Sequence, residues 1–234
     1  LHTIDTVVLD KTGTLTQGRP VVTDILPVDA PGVKENDLLW IAYCLEKPSE
    51  HPLAAAIVEE AERRKIQHQL VQVNNFEAIH GRGVRAELGD HVQFGGNRAM
   101  MEEAGIDLGE WAAVADELAA QGKTPLYFAD EVEHELIGII AVADTPKPTS
   151  KDAVAAFREL GLEVVMLTGD NRRTAEAIGR ELGVTSVLAE VLPQDKERKI
   201  ASLQAEGKKV AMVGDGINDA PALARAEVGL AIGA

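Results

Sequence analysis

Val7-Val8-Leu9-Asp10-Lys11-Thr12-Gly13-Thr14-Leu15-Thr16 is an apolar run that ends in a carboxylate and opens into a loop of small hydroxyl residues and glycine. A short apolar run bounded by turn residues reads as a buried strand. A carboxylate at the C-terminal tip of such a strand lies where open α/β sheets bind their ligands. Aspartate in that position can act as a nucleophile and carry a phosphoryl group as an aspartyl-phosphate. Two later stretches repeat the design: Val164-Val165-Met166-Leu167-Thr168-Gly169-Asp170 and Val210-Ala211-Met212-Val213-Gly214-Asp215. The apolar spacing predicts helices over 151–160, 174–182 and 195–203, and a last strand over 228–232. Strands alternating with helices of this length imply a parallel sheet.

The region between the first Asp unit and the others has a different texture. Pro20, Pro27, Pro31 and Gly32 break the chain on one side, and Asp144-Thr145-Pro146-Lys147-Pro148 breaks it on the other. Between them the patterns predict helices over 37–45, 53–64 and 110–120, and strands over 71–73, 83–88, 92–94, 124–128 and 136–142. The expected architecture is a doubly wound α/β domain (1–24 and 144–234) with an α+β domain (25–143) inserted into it. The two crossings, near 22–26 and 141–145, are expected to form a hinge.

Of the 234 residues, 45% are hydrophobic and 26% charged, the balance of an ordinary globular chain. Only 3% are aromatic, so the core must be built mostly from Ala, Val, Leu and Ile. The net charge of −15 argues against a nucleic-acid or anionic-membrane surface as the main partner. An anionic nucleotide remains compatible, because a metal ion and a few local lysines decide its binding. The single cysteine, Cys44, excludes a disulfide within the chain and reads as a core residue. His2, His68, His80, His91 and His134 lack metal-ligand spacing and read as surface residues. No stretch approaches the roughly 18 apolar residues of a membrane span. The absence of an initial Met and the stop just after a strand suggest a piece of a larger protein.

Asp10 and Asp215 would both lie at strand tips of one sheet. Two carboxylates facing one cleft repel unless a cation lies between them, and Mg²⁺ suits hard oxygen ligands. Taken alone, each Asp would be a helix cap or turn residue. The order of Asp10-Lys11-Thr12-Gly13-Thr14 and Gly214-Asp215-Gly216-Ile217-Asn218-Asp219 weighs against that simpler reading. Together they resemble the haloacid dehalogenase superfamily and, within it, the P-type cation-transporting ATPases, whose phosphorylation signature matches Asp10 to Thr16 letter for letter. Thr168-Gly169-Asp170-Asn171 and Pro193-Gln194-Asp195-Lys196 match further motifs of that group. The resemblance implies a haloacid dehalogenase-like phosphorylation domain in which Asp10 is phosphorylated. It assigns Thr168 to the phosphoryl oxygens and Lys196 to their charge. The candidate catalytic residues are Asp10, Lys11, Thr12, Thr168, Gly169, Asp170, Lys196, Asn218 and Asp219. The candidate Mg²⁺ set is Asp10, Thr12 and Asp215.

Phosphatase members of the superfamily usually carry a second Asp two residues after the nucleophile. Here that position is Thr12, which cannot take up a proton at neutral pH. Without that base, water attacks an aspartyl-phosphate slowly, which suits a pump better than a phosphatase.

In the insertion, Ser49-Glu50-His51-Pro52-Leu53 resembles a box of the heavy-metal subgroup, whose His contacts the adenine end of ATP. The resemblance extends to Glu46 and to Gly81-Arg82-Gly83-Val84 and Gly95-Gly96-Asn97-Arg98. It makes the insertion a nucleotide-binding domain with Glu46, His51, Gly81, Gly83, Val84, Gly96 and Asn97 as candidate ATP-binding residues. Separately, a His-Pro pair is usually a helix start and a Gly pair a hairpin turn. The segment 144–148 matches the group's hinge motif. The expected protein is thus the cytoplasmic catalytic fragment of a membrane pump using ATP and Mg²⁺. Its partners would be the parent's actuator and transmembrane domains, and it would meet the heavy metal ion only through the latter. Gly229-Leu230-Ala231-Ile232-Gly233-Ala234 resembles the copper-type members and favours Cu(I) export over the zinc/cadmium type. A capped soluble phosphatase is the rival enzyme reading, and a nucleotide-sensing module the non-enzymatic one.

Overall fold

The computed structural model describes residues 4–28, 34–66, 72–216 and 219–232. The elements run in chain order as follows. The first strand is β1 (Thr6–Asp10). Then come β2 (Val21–Pro27), α1 (Glu35–Glu46), α2 (Pro52–Arg63), β3 (Val73–Ile79), β4 (Gly83–Leu88), β5 (His91–Gly96), α3 (Arg98–Glu103), α4 (Trp111–Ala120), β6 (Thr124–Asp130) and β7 (Glu135–Ala143). The chain finishes with α5 (Ser150–Glu159), β8 (Glu163–Leu167), α6 (Arg172–Leu182), β9 (Ser186–Leu188), α7 (Lys196–Ala205), β10 (Val210–Gly214), α8 (Ala220–Arg225) and β11 (Val228–Ala231). These divide into two units. One comprises Leu1–Arg19, Ala119–Gly122 and Asp144–Ala234, and the other Pro20–Leu118 and Lys123–Ala143.

In the first unit five parallel strands lie in the order β11-β10-β1-β8-β9. Successive side chains of β1 point to opposite faces, as strand geometry requires. Val7 and Leu9 join a cluster with Val154 of α5 and Ala175, Ile178 and Leu182 of α6. Val8 joins the other cluster, with Ile200 and Leu203 of α7 and Ala222 of α8. Helices thus cover both faces, and the sheet is doubly wound as expected. From β1 the chain passes outward to β8 and β9 on one side and returns to β10 on the other. The order therefore reverses between β1 and β10, and Leu9 pairs with Val213 there. The crevice at such a reversal, outside the C-terminal strand ends, is where open α/β sheets bind ligands.

The second unit has a six-stranded antiparallel sheet in the order β2-β7-β6-β5-β4-β3. Along β7, Ile140 and Val142 face α1 and α2, with Leu38, Leu39, Leu45 and Ile57. Ile139 and Ala141 face the cluster of α3 and α4, with Met100, Met101 and Leu118. Cys44 is buried in the first of these clusters.

Three expectations need correction. Residues 22–26 are not a crossing but paired strand, with Val21 opposite Ala143 and Ile25 opposite Ile140, whereas the second boundary falls at Ala143/Asp144, within the expected 141–145. The units part at Arg19/Pro20 rather than after residue 24. Proline is tolerated on an edge strand, so Pro20 and Pro27 bracket β2 without breaking it. Of the strand expected at 71–73, residue 71 lies outside the described residues; β3 begins at Val73 and runs on to Ile79, with a register shift between Asn74 and Glu77. Finally, β9, α3 and α8 are too short to carry a legible period. Among the described residues, no helix is long and apolar enough to cross a membrane.

Candidate active site

Asp10 is the last residue of β1 and is 4% exposed. After it the chain makes a tight loop in which Thr12 is extended and Gly13 adopts φ +75°. Lys196 opens α7, just past a short turn at Pro193–Asp195, and projects onto the strand tips. Its Nζ donates to Asp10 Oδ1 at 2.8 Å and to Asp219 Oδ1 at 2.7 Å. Asp219 is fully buried, and its Oδ2 accepts the Asp215 N–H at 3.2 Å. A Cβ on Gly214 would lie 2.2 Å from that same Oδ2, so only glycine lets β10 end against this carboxylate.

Burial pushes the Asp10 carboxyl up to about 6. Lys196 opposes the rise, and the negative charges of Asp219 and Asp215 add to it. For Lys196, burial works against the charged form, and the two carboxylates more than offset it, so its pKa is raised. A second buried pair joins the loop to the tip of β8: Lys11 Nζ lies 2.6 Å from Asp170 Oδ2. Thr168, 3% exposed, begins the loop after β8, and its hydroxyl accepts the Asp170 N–H at 3.1 Å.

The fold therefore gathers Asp10, Lys196 and Asp219 by direct contact, adds Asp215 by charge, and brings Lys11 to Asp170. Thr12 and Gly169 are exposed at the rim. Asn218 lies outside the described residues. Asp10 and Asp219 share the Lys196 ammonium, and Asp215 adds negative charge beside Asp10, a setting that fits a divalent cation. Among the described residues, no three His, Cys, Asp or Glu side chains form a metal-holding group. Mg²⁺ does not require one, because it keeps several waters and takes one or two carboxylates alongside phosphate oxygens.

The second unit holds the other candidate residues. Glu46 ends α1 at 6% exposure, and burial pushes its carboxyl up to about 7, with a hydrogen bond from Ser49 opposing the rise. His51 caps α2: its Nδ1 accepts the Leu53 N–H at 3.2 Å, ahead of Pro52 in the first turn. Asn97 caps α3 by accepting the Met100 N–H at 3.1 Å, and its Nδ2 donates to Gly81 O at 2.8 Å. At Gly83, φ is +155° and a Cβ would lie 2.1 Å from Gly95 O, so the ends of β4 and β5 touch backbone to backbone. Gly81, Gly83, Gly96 and Asn97 thus form one corner. Val84 is 4% exposed under α1, so it can offer a ligand only its backbone. His80, His91 and His134 are exposed as expected, and His2 and His68 lie outside the described residues. Thr16, Asp144, Lys147 and Ser150 also bear on the catalytic loop, and no local pattern marked them for that role.

The description haloacid dehalogenase-like hydrolase matches residues 4–227. The catalytic domain of the CPx-ATPase CopB-B, from a study of its conformational changes upon nucleotide binding, superposes with a TM-score of 0.69 at 30% identity. That match covers 95% of this chain and 75% of the other. The chain belongs to the haloacid dehalogenase-like hydrolases, as a P-type ATPase catalytic domain. A zinc-transporting PIB-type ATPase in its E2.Pi state matches this catalytic domain at TM-score 0.62 and 36% identity, covering 96% of this chain and 35% of that one. Copper-exporting P-type ATPases of Bacillus subtilis (strain 168) and Staphylococcus aureus (strain JH9) are 48% and 47% identical to it over 99% of its length. The catalytic domain spans about 28% of the length of these two relatives.

Proposed function

We propose that the chain binds ATP and transfers the γ-phosphoryl group to Asp10, as the catalytic part of a copper-exporting pump. The observation that carries this reading is the position of Asp10 at the sheet's reversal point, held by Lys196 beside Asp219. At pH 7.5 a carboxyl that titrates at about 6 is mostly ionised and so is a competent nucleophile. Lys196 holds Oδ1, which assigns the attack to Oδ2. As the bond from Oδ2 to phosphorus forms, the bond from phosphorus to the bridging oxygen breaks, and ADP leaves with that electron pair. Lys196 faces the charge that develops on the phosphoryl oxygens, and the Thr168 hydroxyl is placed to orient them. Asp10, Asp215 and Thr12 would hold Mg²⁺, which supplies charge neutralisation at the γ-phosphate.

Thr12 makes the product persistent, because no carboxylate at that position activates water against it. That favours a pump over a soluble phosphatase. Glu46, His51 and the corner of Gly81, Gly83, Val84, Gly96 and Asn97 are assigned to the nucleotide's adenine end. Copper is favoured over zinc by the higher identity to the copper-exporting relatives. In this reading the chain works on the cytoplasmic side of a membrane, joined to actuator and transmembrane domains.

The test is acid-quenched labelling with γ-labelled Mg²⁺-ATP. The wild-type chain should form an acid-stable, hydroxylamine-labile phosphoprotein, and Asp10→Asn should form none. Equal labelling of both proteins, or label that survives hydroxylamine, would reject Asp10 as the acceptor.

A further inference from the structure

The chain between β7 and α5 is not a loose connection. It lies along the return of the catalytic loop and is bonded to it at nearly every residue. Thr16 donates from Oγ1 to Asp144 Oδ2, and Arg19 N–H donates to Asp144 Oδ1 at 3.2 Å. Gln17 N–H donates to Thr145 O at 2.9 Å, and Lys147 N–H to Leu15 O at 2.9 Å. Ser150 Oγ adds a second bond to Leu15 O at 2.7 Å. Lys147 Nζ reaches furthest, donating to Gly13 O at 2.6 Å. Thr16 is fully buried, with Asp144 and Ser150 at 8% and 5% exposure, so these bonds work largely shielded from water.

Gly13 is the residue at which the loop turns, and both of its peptides are held. The Gly13 N–H donates to Thr16 Oγ1 at 3.3 Å, while its carbonyl takes the Lys147 ammonium. A trans peptide is planar, so fixing the Gly13 N–H also fixes the direction of the Thr12 carbonyl. Thr16 Oγ1 has one proton and two acceptor sites. That proton lies within reach of both the Asp144 carboxylate and, at 3.0 Å, Lys11 O, and the oxygen's acceptor side takes the Gly13 N–H. Asp144 therefore orients Thr16, Thr16 orients the peptide before Gly13, and Lys147 orients the peptide after it.

We propose that Asp144 and Lys147 are positioning residues for phosphoryl transfer: they clasp the loop that follows Asp10 and preset Thr12 and Gly13 for the incoming phosphoryl group. This rests on the phosphorylation of Asp10 proposed above. Preorganisation of this kind changes the rate of the chemical step and leaves ground-state binding alone.

The experiment uses the 234-residue chain with Lys147→Met, which keeps the stem and removes the donor, and Lys147→Arg, which restores a donor. Lys147→Met should slow phosphoprotein formation at saturating Mg²⁺-ATP by about tenfold or more, with ATP affinity by calorimetry unchanged. Lys147→Arg should recover most of the rate. Independently of any chemistry, Lys147→Met should speed amide exchange in a peptide covering residues 11–16 and not in one covering β8. An unchanged labelling rate, or a rate loss that tracks a global loss of stability and is not rescued by arginine, overturns the proposal. If wild type takes no label, the fault lies with the phosphorylation reading. The exchange arm then decides the clasp alone, and unchanged exchange at 11–16 overturns it.

Discussion

Asp10 and Glu46 are both carboxylates buried at the end of an element, one at the tip of β1 and one in the last turn of α1. Both hold their protons to well above the usual range, to about 6 and about 7. The causes differ. At Asp10 burial is joined by the charges of Asp219 and Asp215 and opposed by Lys196. At Glu46 burial is opposed only by the hydrogen bond with Ser49. The first unit has concentrated opposed charges at a strand tip, where an added cation or anion changes the balance at once. The second offers a neutral, glycine-lined corner and a carboxyl that can present a proton. That contrast is the one expected if the phosphoryl chemistry belongs to one unit and recognition of an uncharged base to the other.

The contrast breaks hardest at Lys196. Lys196→Met leaves Asp10 and Asp219 buried without their counter-ion, a change that typically destabilises by about 3–5 kcal/mol. Both tryptophans, Trp40 and Trp111, belong to the second unit. The expected result is a lower thermal midpoint by circular dichroism, with tryptophan fluorescence reporting a second unit that is little changed. A fluorescence midpoint that falls just as far would show the two units to be energetically one.

The pH response comes next in size. The folded pKa of Asp10 lies above its ordinary 3.8, so its contribution to stability is complete below about pH 4 and is lost as the pH rises through about 6. From pH 4 to 7.5 wild type should lose about 3 kcal/mol relative to Asp10→Asn. Relative to Glu46→Gln, wild type should show a loss of similar size, shifted upward by about one pH unit because Glu46 titrates at about 7. Saturating Mg²⁺ should abolish the first difference and leave the second. Urea unfolding across this range measures both, and a magnesium effect on the Glu46 difference would refute the separation of roles.

The glycine corner should give a smaller change. Gly83→Ala places a methyl group against Gly95 O at a backbone angle unfavourable to any side chain. It should destabilise the second unit by about 2–3 kcal/mol, seen by tryptophan fluorescence, while the Asp10 labelling rate at saturating ATP falls little. Smallest of the four is His51→Asn. Asparagine keeps the helix cap that His51 Nδ1 supplies, so stability should hold. Loss of the imidazole should weaken ATP binding several-fold, about 1 kcal/mol. Unchanged affinity by calorimetry would remove His51 from the nucleotide site.

Much of the catalytic end was legible because it is local. Strand-ending Asp10 and Asp215 announced themselves by composition, and the doubly wound sheet followed from the alternation of strands and helices. The partnership of Lys11 with Asp170 was not legible, since nothing near either residue says which charge will fold onto it. The same holds for the clasp between residues 13–19 and 144–150, which joins opposite sides of the insertion. β2 was hidden by Pro20 and Pro27, and β3 by its exposed Asn74, Asn75 and Glu77, which erase the alternation an edge strand does not need. In the second unit the glycines were readable as a group. Their reason was not: at Gly83 two strand ends touch backbone to backbone.

The central strand of the first sheet is made early and completed late. β1 leaves the ribosome well before its neighbours, β8 and β10, which begin at Glu163 and Val210. Three of the five pairings in the second sheet, β3-β4, β4-β5 and β6-β7, are hairpins, whose loops close early and cheaply in entropy. During synthesis the insertion can therefore fold while Val7, Val8 and Leu9 wait for partners not yet translated. The nucleophile's own strand is then the segment most exposed to aggregation. A chaperone that shields Thr6–Asp10 until β8 and β10 are made would raise the yield of folded chain.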